Sequence, residues 1–223
     1  MNSNYYEQIR RAFNDWAPTY EGEVVQKLIQ RGYSYEILGK KFASYISSSS
    51  NEKPVVIELG VGTGILGVSV ARLCNMDLYG VDISEKMLEI ASEKRVYLGL
   101  TCCNVDTYNF PKGVDVIYSG FMLHSVKMQE RLIESAYESL HDNGYLLIAD
   151  LVPSVCEYRD FNAHSRKYEY GAPSNYKKNN ELISMFNDSL FELVHVERLG
   201  KIKDYTHFFY ALCKPQPDAQ VGS

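Results

Sequence analysis

The sequence lacks any long apolar run, which limits where the protein can work. A membrane-spanning helix needs about eighteen or more apolar residues in succession, and no such stretch occurs. The first residues, from Met1 to Glu7, also lack the basic start and the apolar stretch of a secretory signal peptide. These absences predict a cytoplasmic protein without a membrane partner.

Cysteines are few and carry no metal-binding spacing. The chain has five of them, an odd number, and no CxxC motif of the kind that zinc sites use. Two are adjacent, at Cys102 and Cys103, and the other three are scattered, at Cys74, Cys156 and Cys213. We therefore expect reduced thiols and no bound metal.

Basic residues are outnumbered by acidic ones. Lys and Arg total 23 against 28 Asp and Glu, which gives a net charge of −5 and a pI near 5.6. This balance disfavours a nucleic-acid partner, because proteins that bind the phosphate backbone usually present a basic face. With 45% hydrophobic residues over 223 positions, the chain can build one sizeable core. The oligomeric state stays open.

Short β-branched runs alternate with amphipathic segments from residue 55 onward. Five runs are predicted as strands, at 55–59, 78–81, 100–105, 114–118 and 145–151. Helices are expected between them, and Asn143-Gly144 is expected to close the helix over 131–140 as a left-handed cap. This alternation indicates a doubly wound α/β fold with a mostly parallel sheet.

The segments before the first strand differ in pattern. Residues 5–20 and 21–46 carry apolar side chains at helical spacing, so we expect residues 1–50 to form an N-terminal helical cap. The main domain is then expected to cover 51–214, with a flexible tail at 215–223.

The pattern changes again after the fifth strand. Residues 152–176 are polar and rich in tyrosine, as expected of an inserted lid loop. A helix over 181–190 and two strands, 191–199 and 205–213, follow, and a short connection centred on Gly200 predicts a hairpin.

The glycine-rich segment after the first strand is the sharpest functional signal. Gly60, Gly62 and Gly64 form a GxGxG pattern, while Gly62, Gly64 and Gly67 form the GxGxxG pattern typical of dinucleotide sites. Glycines allow a tight turn and let a ligand approach the backbone closely, and the helix that follows presents free N–H groups. The loop alone leaves a nicotinamide-dependent oxidoreductase open.

Acidic residues lie near the ends of the first three strands, and two of them favour a nucleoside cofactor with a cationic methionine moiety over a dinucleotide. Glu58 lies inside the first strand, where a carboxylate is unfavourable beside two phosphates but favourable beside a cationic methionine moiety. Asp82 ends the second strand and can accept hydrogen bonds from the ribose hydroxyls of either cofactor. Asp106 follows the third strand and can accept from an adenine amino group.

Residues 13–213, and most specifically 55–67 and 78–88, resemble the class I, Rossmann-like S-adenosylmethionine-dependent methyltransferases, in their small-molecule branch. The resemblance implies a seven-stranded sheet in the order 3-2-1-4-5-7-6 with strand 7 antiparallel, and S-adenosylhomocysteine as the product. It also implies cofactor contacts from a set of residues in the cap and at the strand ends: Tyr20, Glu58, Gly60, Gly62, Gly64, Asp82, Ile83, Met87, Val105, Asp106 and Gly120.

Candidate catalytic and substrate residues lie around the expected mouth of this site. His124 follows the fourth strand, and its ordinary pKa suits a general base near neutral pH, although packing or capping would also explain it. Aromatic and imidazole rings that could contact an acceptor are Trp16, Phe121, His164 and Tyr168. Core packing is the alternative for Trp16.

The expected function is methyl transfer to a small molecule, as in secondary metabolism. Methylation of a protein or of RNA is an alternative, and so is a non-catalytic protein that binds S-adenosylmethionine. The acidic balance and the lack of an added recognition domain favour the small-molecule acceptor.

Overall fold

The β-branched runs of the sequence form a single seven-stranded sheet in a computed structural model that describes residues 3–30, 34–153, 174–202 and 205–216. The strands are β1 Val55–Leu59, β2 Asp77–Asp82, β3 Gly99–Cys102, β4 Val114–Gly120, β5 Leu140–Pro153, β6 Glu192–Ile202 and β7 Tyr205–Cys213. Their order is β3-β2-β1-β4-β5-β7-β6, and β7 pairs antiparallel with both of its neighbours. The expected fold class and strand order are confirmed.

Both faces of the sheet are buried, as a mostly parallel sheet requires. Side chains of β1 alternate between two hydrophobic clusters, with Ile57 and Leu59 on one face and Val56 on the other. This explains why the first strand is a continuous apolar run rather than an alternation of apolar and polar residues.

Helices cover these faces and the carboxyl edge of the sheet. In the described residues they are α1 Ser3–Trp16, α2 Tyr20–Gln30, α3 Tyr35–Ile46, α4 Ile65–Ala71, α5 Glu85–Glu93, α6 Gln129–Ser139 and α7 Asn179–Asn187. Helix α1 ends two residues before Pro18, which disfavours helical backbone at the residue preceding it. Gly39 lies within α3, and a Cβ there would lie 2.8 Å from the Cβ of Ser69 on α4, so the glycine allows the two helices to approach closely.

Three local predictions were wrong. The third strand stops at Cys102 rather than at residue 105, because Asn104 Oδ1 accepts from the Asp106 N–H and starts a short 3-10 turn. Helix α6 ends at Ser139, so Asn143, with φ 62°, lies within β5 instead of capping the helix. Gly200 lies inside β6, at a register shift, and not in the connection to β7.

Two features of the described residues bear on the earlier expectations. No helix there is long and apolar enough to cross a bilayer. Within the same ranges, no group of three or more His, Cys, Asp or Glu side chains is placed to hold a metal ion. The predicted contacts His164 and Tyr168 lie outside the described residues, as does Cys156.

The sheet brings its functional segments to one edge. Strands β1, β2, β3, β4 and β5 run parallel, so their carboxyl ends meet at the same side of the molecule. Ligands in open α/β sheets bind at this edge.

Candidate functional site

The loop after β1 is a turn with glycine at three positions where a side chain is disfavoured. Gly60, Gly62 and Gly64 all have positive φ, at 72°, 54° and 82°, which disfavours any residue with a Cβ. A Cβ on Gly60 would also lie 2.5 Å from the Cβ of Met122, in the loop that follows β4. The exposed backbone of these glycines therefore forms one side of the space between the loops that follow β1 and β4.

Asp82 ties the glycine turn to the end of β2. Its Oδ2 accepts from the Gly62 N–H at 2.8 Å, and its Oδ1 accepts from the Ser84 N–H at 2.8 Å. Burial raises the pKa of Asp82, and the backbone donors oppose that shift. A carboxylate has about four acceptor positions, so two backbone bonds leave capacity for ligand hydroxyls.

A partly open cavity lies above this turn, and its empty space, part of it open to solvent, is about 630 Å³. It is enclosed by α1, the glycine loop and the segments that follow β2, β3 and β4. Its lining comprises Tyr6, Ile9, Phe13, Tyr20, Gly60, Gly62, Asp82, Ile83, Cys103, Asn104, Val105, Gly120, Phe121, Met122, Ser125 and Val126. Asp82 is the one acidic residue in this described lining, which contains no Lys, Arg or His.

Phe121 holds a strained backbone at the cavity wall. Its φ is 63°, which is unfavourable for a bulky residue, and its N–H donates to the Ala149 carbonyl on β5 at 2.7 Å. The ring of buried His207 lies edge-on to it, with centroids 5.5 Å apart. Strain of this kind concentrates at functional sites, so Phe121 is a residue whose position the fold defines closely.

The Glu58 carboxylate lies outside the cavity lining. It is buried, and its Oε2 accepts from the phenols of Tyr97 at 2.7 Å and Tyr118 at 2.9 Å. Burial raises the pKa of Glu58 to about 8, while the two phenols oppose the shift. Glu58 is thus absent from the described cavity lining and bonded to two phenols, and its contact with the cofactor stays a prediction.

His124 and Asp150 form a buried pair next to the cavity. His124 Nδ1 lies 2.6 Å from Asp150 Oδ1, and the backbone N–H of His124 donates to Asp150 Oδ2 at 2.7 Å. The ring of Tyr176 stacks on the imidazole. A carboxylate that accepts from Nδ1 favours the neutral tautomer with the proton on that nitrogen and fixes the orientation of the ring.

The structure brings half of the predicted site residues into one lining. Those that line the cavity are Tyr20, Gly60, Gly62, Asp82, Ile83, Val105, Gly120 and Phe121. The residues that it places outside the lining are Trp16, Glu58, Gly64, Met87, Asp106 and His124. Of these, Gly64 packs against Ala91 of α5, and Trp16 lies edge-on to Tyr20 with ring centroids 4.6 Å apart.

Sequence reasoning predicted the N-terminal cap but did not select the lining residues of α1 or Asp150. Tyr6, Ile9 and Phe13 line the cavity, but an amphipathic helix gives no sign of which apolar residue faces a ligand. Asp150 carried a usable signal, because it is an acidic residue directly after the apolar run 145–149 of β5, much as Asp82 comes directly after the run 78–81 of β2.

The donor and acceptor set fits S-adenosylmethionine. Two glycines supply bare backbone, Asp82 supplies acceptors, and Asp106 Oδ1 is a buried acceptor atom without a hydrogen-bond partner among the described residues. An adenine amino group is a donor that would satisfy such an oxygen. The lining residues that would hold the cofactor are therefore Gly60, Gly62 and Asp82, and Asp106 is outside the lining but follows Val105, which belongs to it.

Comparison with known proteins agrees with a site for S-adenosylmethionine. Residues 57–148, from β1 into β5, match the family model described as a methyltransferase domain. This segment, about two fifths of the chain, is therefore similar to a methyltransferase domain, and the similarity indicates S-adenosylmethionine as the cofactor.

Curated relatives match beyond that segment at low identity. An uncharacterized methyltransferase of Oceanobacillus iheyensis is 29% identical over 143 residues, which are 62% of this chain and 64% of that protein. Carboxy-S-adenosyl-L-methionine synthase of Helicobacter hepaticus is 27% identical over 154 residues, 64% of each chain. The chain spans less than two thirds of the length of both relatives.

Solved structures share the fold. Phosphoethanolamine N-methyltransferase 2 of Haemonchus contortus, solved with phosphomonomethylethanolamine and S-adenosylhomocysteine, superposes with a TM-score of 0.63 at 16% identity. The match covers 78% of this chain and 52% of that one. At this identity the likeness concerns the fold alone.

Proposed function

We propose that the protein transfers the methyl group of S-adenosylmethionine to a small-molecule acceptor. The observation that carries the proposal is the cavity over the glycine turn, whose one acidic residue is Asp82 and whose described lining contains no basic side chain. A cationic sulfonium is stabilised in such surroundings, whereas the two phosphates of a dinucleotide lack a counter-charge there.

The cover that α1 forms favours a small acceptor over a macromolecule. The Tyr5 phenol near its start donates to the Ser125 carbonyl at 3.3 Å, and Asn14 near its end accepts from the Ser84 hydroxyl at 2.6 Å. The helix thus crosses the carboxyl edge of the sheet between the loops after β4 and β2. A protein or RNA chain would meet this helix before it reached the cavity.

The chemistry that the residues would perform is alignment, exclusion of water and removal of a proton. Bound S-adenosylmethionine supplies a methyl group activated by the sulfonium. Apolar side chains of Phe121, Met122 and Val126 line the cavity and keep water away from the reacting atoms. Where the acceptor carries an acidic proton, His124 would take it at Nε2 while Asp150 holds Nδ1.

The test is transfer of labelled methyl from S-adenosylmethionine to separated fractions of a cell lysate. Label in low-molecular-weight solutes is the expected result. Label in protein or RNA would overturn the small-molecule acceptor, and binding of S-adenosylhomocysteine without any transfer would indicate a non-catalytic protein. Mass spectrometry of the recovered cofactor would reveal a carboxylated product, the outcome that the relative from Helicobacter hepaticus suggests.

Calorimetry with two variants tests the site independently of the acceptor. Asp82→Ala removes the acceptor that lines the cavity and is expected to weaken S-adenosylhomocysteine binding by at least about tenfold, since lost hydrogen bonds to a charged group cost about 1.5–3 kcal/mol. Cys102→Ala, at the exposed end of β3, is the control and should bind as the unchanged protein does. Equal effects, or preferential binding of NADH, would contradict the assignment.

A further inference from the structure

Tyr6 is the one residue of α1 that lines the cavity and also hydrogen-bonds to Asp106, a residue predicted to contact the cofactor. Its hydroxyl donates to Asp106 Oδ2 and accepts from the Lys127 N–H at 2.9 Å. Tyr6 and Asp106 lie 100 positions apart in the sequence. The contact therefore joins the cap to the segments after β3 and β4 at a single phenol.

The phenol is a fixed donor. Burial, and then the Asp106 carboxylate, raises the pKa of Tyr6 far above its ordinary value, so the hydroxyl keeps its proton at any physiological pH. Because the Lys127 N–H occupies the phenol oxygen as acceptor, the hydroxyl proton is directed toward Asp106. The orientation of the carboxylate is thereby constrained from the cap.

The second oxygen of the same carboxylate is different. Asp106 Oδ1 is buried and has no hydrogen-bond partner among the described residues. The turn that carries it is held by Asn104, whose side chain accepts from the Asp106 N–H at 3.0 Å, and both Asn104 and Val105 line the cavity. A buried carboxylate oxygen without a donor is unfavourable, so a ligand that supplies an N–H there gains affinity.

We propose that Tyr6 is a specificity-determining residue, which orients the Asp106 carboxylate so that Oδ1 accepts only from a nucleobase with an exocyclic amino group. The inference rests on the proposed function, because it assumes that the cavity binds a nucleoside. Adenine presents an amino donor at this position, whereas hypoxanthine presents a carbonyl oxygen that would oppose the carboxylate. Tyr6 would act through Asp106 and would not itself read the base.

The experiment is calorimetric titration with S-adenosylhomocysteine and with its deaminated analogue, S-inosylhomocysteine. The unchanged protein is expected to prefer the adenine compound by about 100-fold, the effect of one unsatisfied buried polar pair. Tyr6→Phe removes the hydroxyl and keeps the ring, and the preference should fall to about tenfold, because the carboxylate can then turn. Tyr5→Phe on the same helix is the matched control and should keep the full preference.

The ratio of the two affinities separates this role from a structural one. If Tyr6 served only to dock α1, Tyr6→Phe would weaken both ligands equally and leave the ratio unchanged, and that result would overturn the inference. Asp106→Asn provides a second test, since an amide can donate to the hypoxanthine carbonyl and should shift the preference toward S-inosylhomocysteine. An unchanged ratio in Asp106→Asn would likewise contradict the inference. Failure of the unchanged protein to bind either compound would instead refute the proposed function.

Discussion

The imidazole of His124 lies parallel to the phenol ring of Tyr176, with ring centroids 4.7 Å apart and 2° between the planes. Tyr176 is the last residue of the predicted lid segment, 152–176, and Asp150 precedes that segment, so residues at both of its ends contact the same imidazole. The Asn175 N–H donates to the His124 carbonyl at 2.6 Å and strengthens this junction.

Asp150→Asn is predicted to slow methyl transfer without weakening the binding of the cofactor. An amide facing His124 Nδ1 favours the tautomer with the proton on Nε2, so the ring can no longer accept a proton there. The expected loss in single-turnover rate is roughly 100- to 10,000-fold, by analogy with a histidine that loses its orienting carboxylate. The dissociation constant of S-adenosylhomocysteine should stay the same.

Asp115→Asn is the matched control for that substitution. Asp115 is also buried and accepts a backbone N–H, from Val55 at 2.8 Å, but it lies at the amino end of β4. The Asp115→Asn substitution should lower the stability of the protein and leave the rate of methyl transfer unchanged. Similar rates in the two variants would rule out an orienting role for Asp150.

Gly60→Ala is predicted to abolish cofactor binding. The new Cβ would meet the Met122 side chain at 2.5 Å, in a backbone region that disfavours side chains, and the strain should cost about 1–3 kcal/mol. Gly22→Ala provides the comparison, because Gly22 lies in α2 with nothing within 4 Å of a Cβ. That change should raise stability by up to about 1 kcal/mol. Urea denaturation and calorimetry would measure both, and intact binding by Gly60→Ala would disprove the close approach.

Glu58 is predicted to make stability fall as the pH rises. Burial raises its pKa from an ordinary 4.5 to about 8, so between these values the folded protein keeps a proton that the unfolded chain has lost. The free energy of unfolding should therefore decrease by up to about 1.4 kcal/mol per pH unit through this window. Glu58→Gln removes the titrating group and should be more stable than the unchanged protein at pH 8 but not at pH 5.

Denaturation curves at several pH values would test that prediction. Glu89→Gln, the same substitution at an exposed position of α5, is the control and should follow the pH dependence of the unchanged protein. Parallel curves for Glu58→Gln and the unchanged protein would show that Glu58 is ionised in the folded state.

Ser84→Ala is predicted to cost more stability than Ser34→Ala. Both serines cap a helix, Ser84 by accepting from the Met87 N–H and Ser34 from the Ile37 N–H. A cap alone is worth about 1 kcal/mol, but the Ser84 hydroxyl also donates to Asn14 on α1. The thermal midpoint should therefore drop further for Ser84→Ala, and equal shifts would mean that the contact with α1 adds nothing.

Local signals in the sequence were sufficient for most of the sheet and for part of the site. A β-branched run ending at glycines gave β1 and its turn, and the acid after the second run gave Asp82, because both depend on neighbours in the chain. The order of the strands came from the family resemblance, not from the residues alone. The prediction of a helix cap at Asn143 was wrong because the same Asn-Gly pair suits both a helix cap and a kink within a strand.

The partners of the site residues could not be predicted, for a physical reason. The Tyr6–Asp106 and His124–Asp150 pairs join positions 100 and 26 residues apart, and no local pattern specifies such a contact. Glu58 shows the converse, since its sequence position matches the family motif while its carboxylate accepts from the phenols of Tyr118 on β4 and Tyr97 in the loop before β3.

The position of β7 in the sheet makes folding of the sheet depend on the end of the chain. The last strand in sequence is inserted between β5 and β6, and it supplies nine register partners to β5 from Tyr145 to Pro153. A product terminated before Tyr205 would leave that long apolar edge without its neighbour, open to pairing with other chains. Proteolytic clipping or premature termination in this region should therefore yield aggregates rather than a smaller working enzyme.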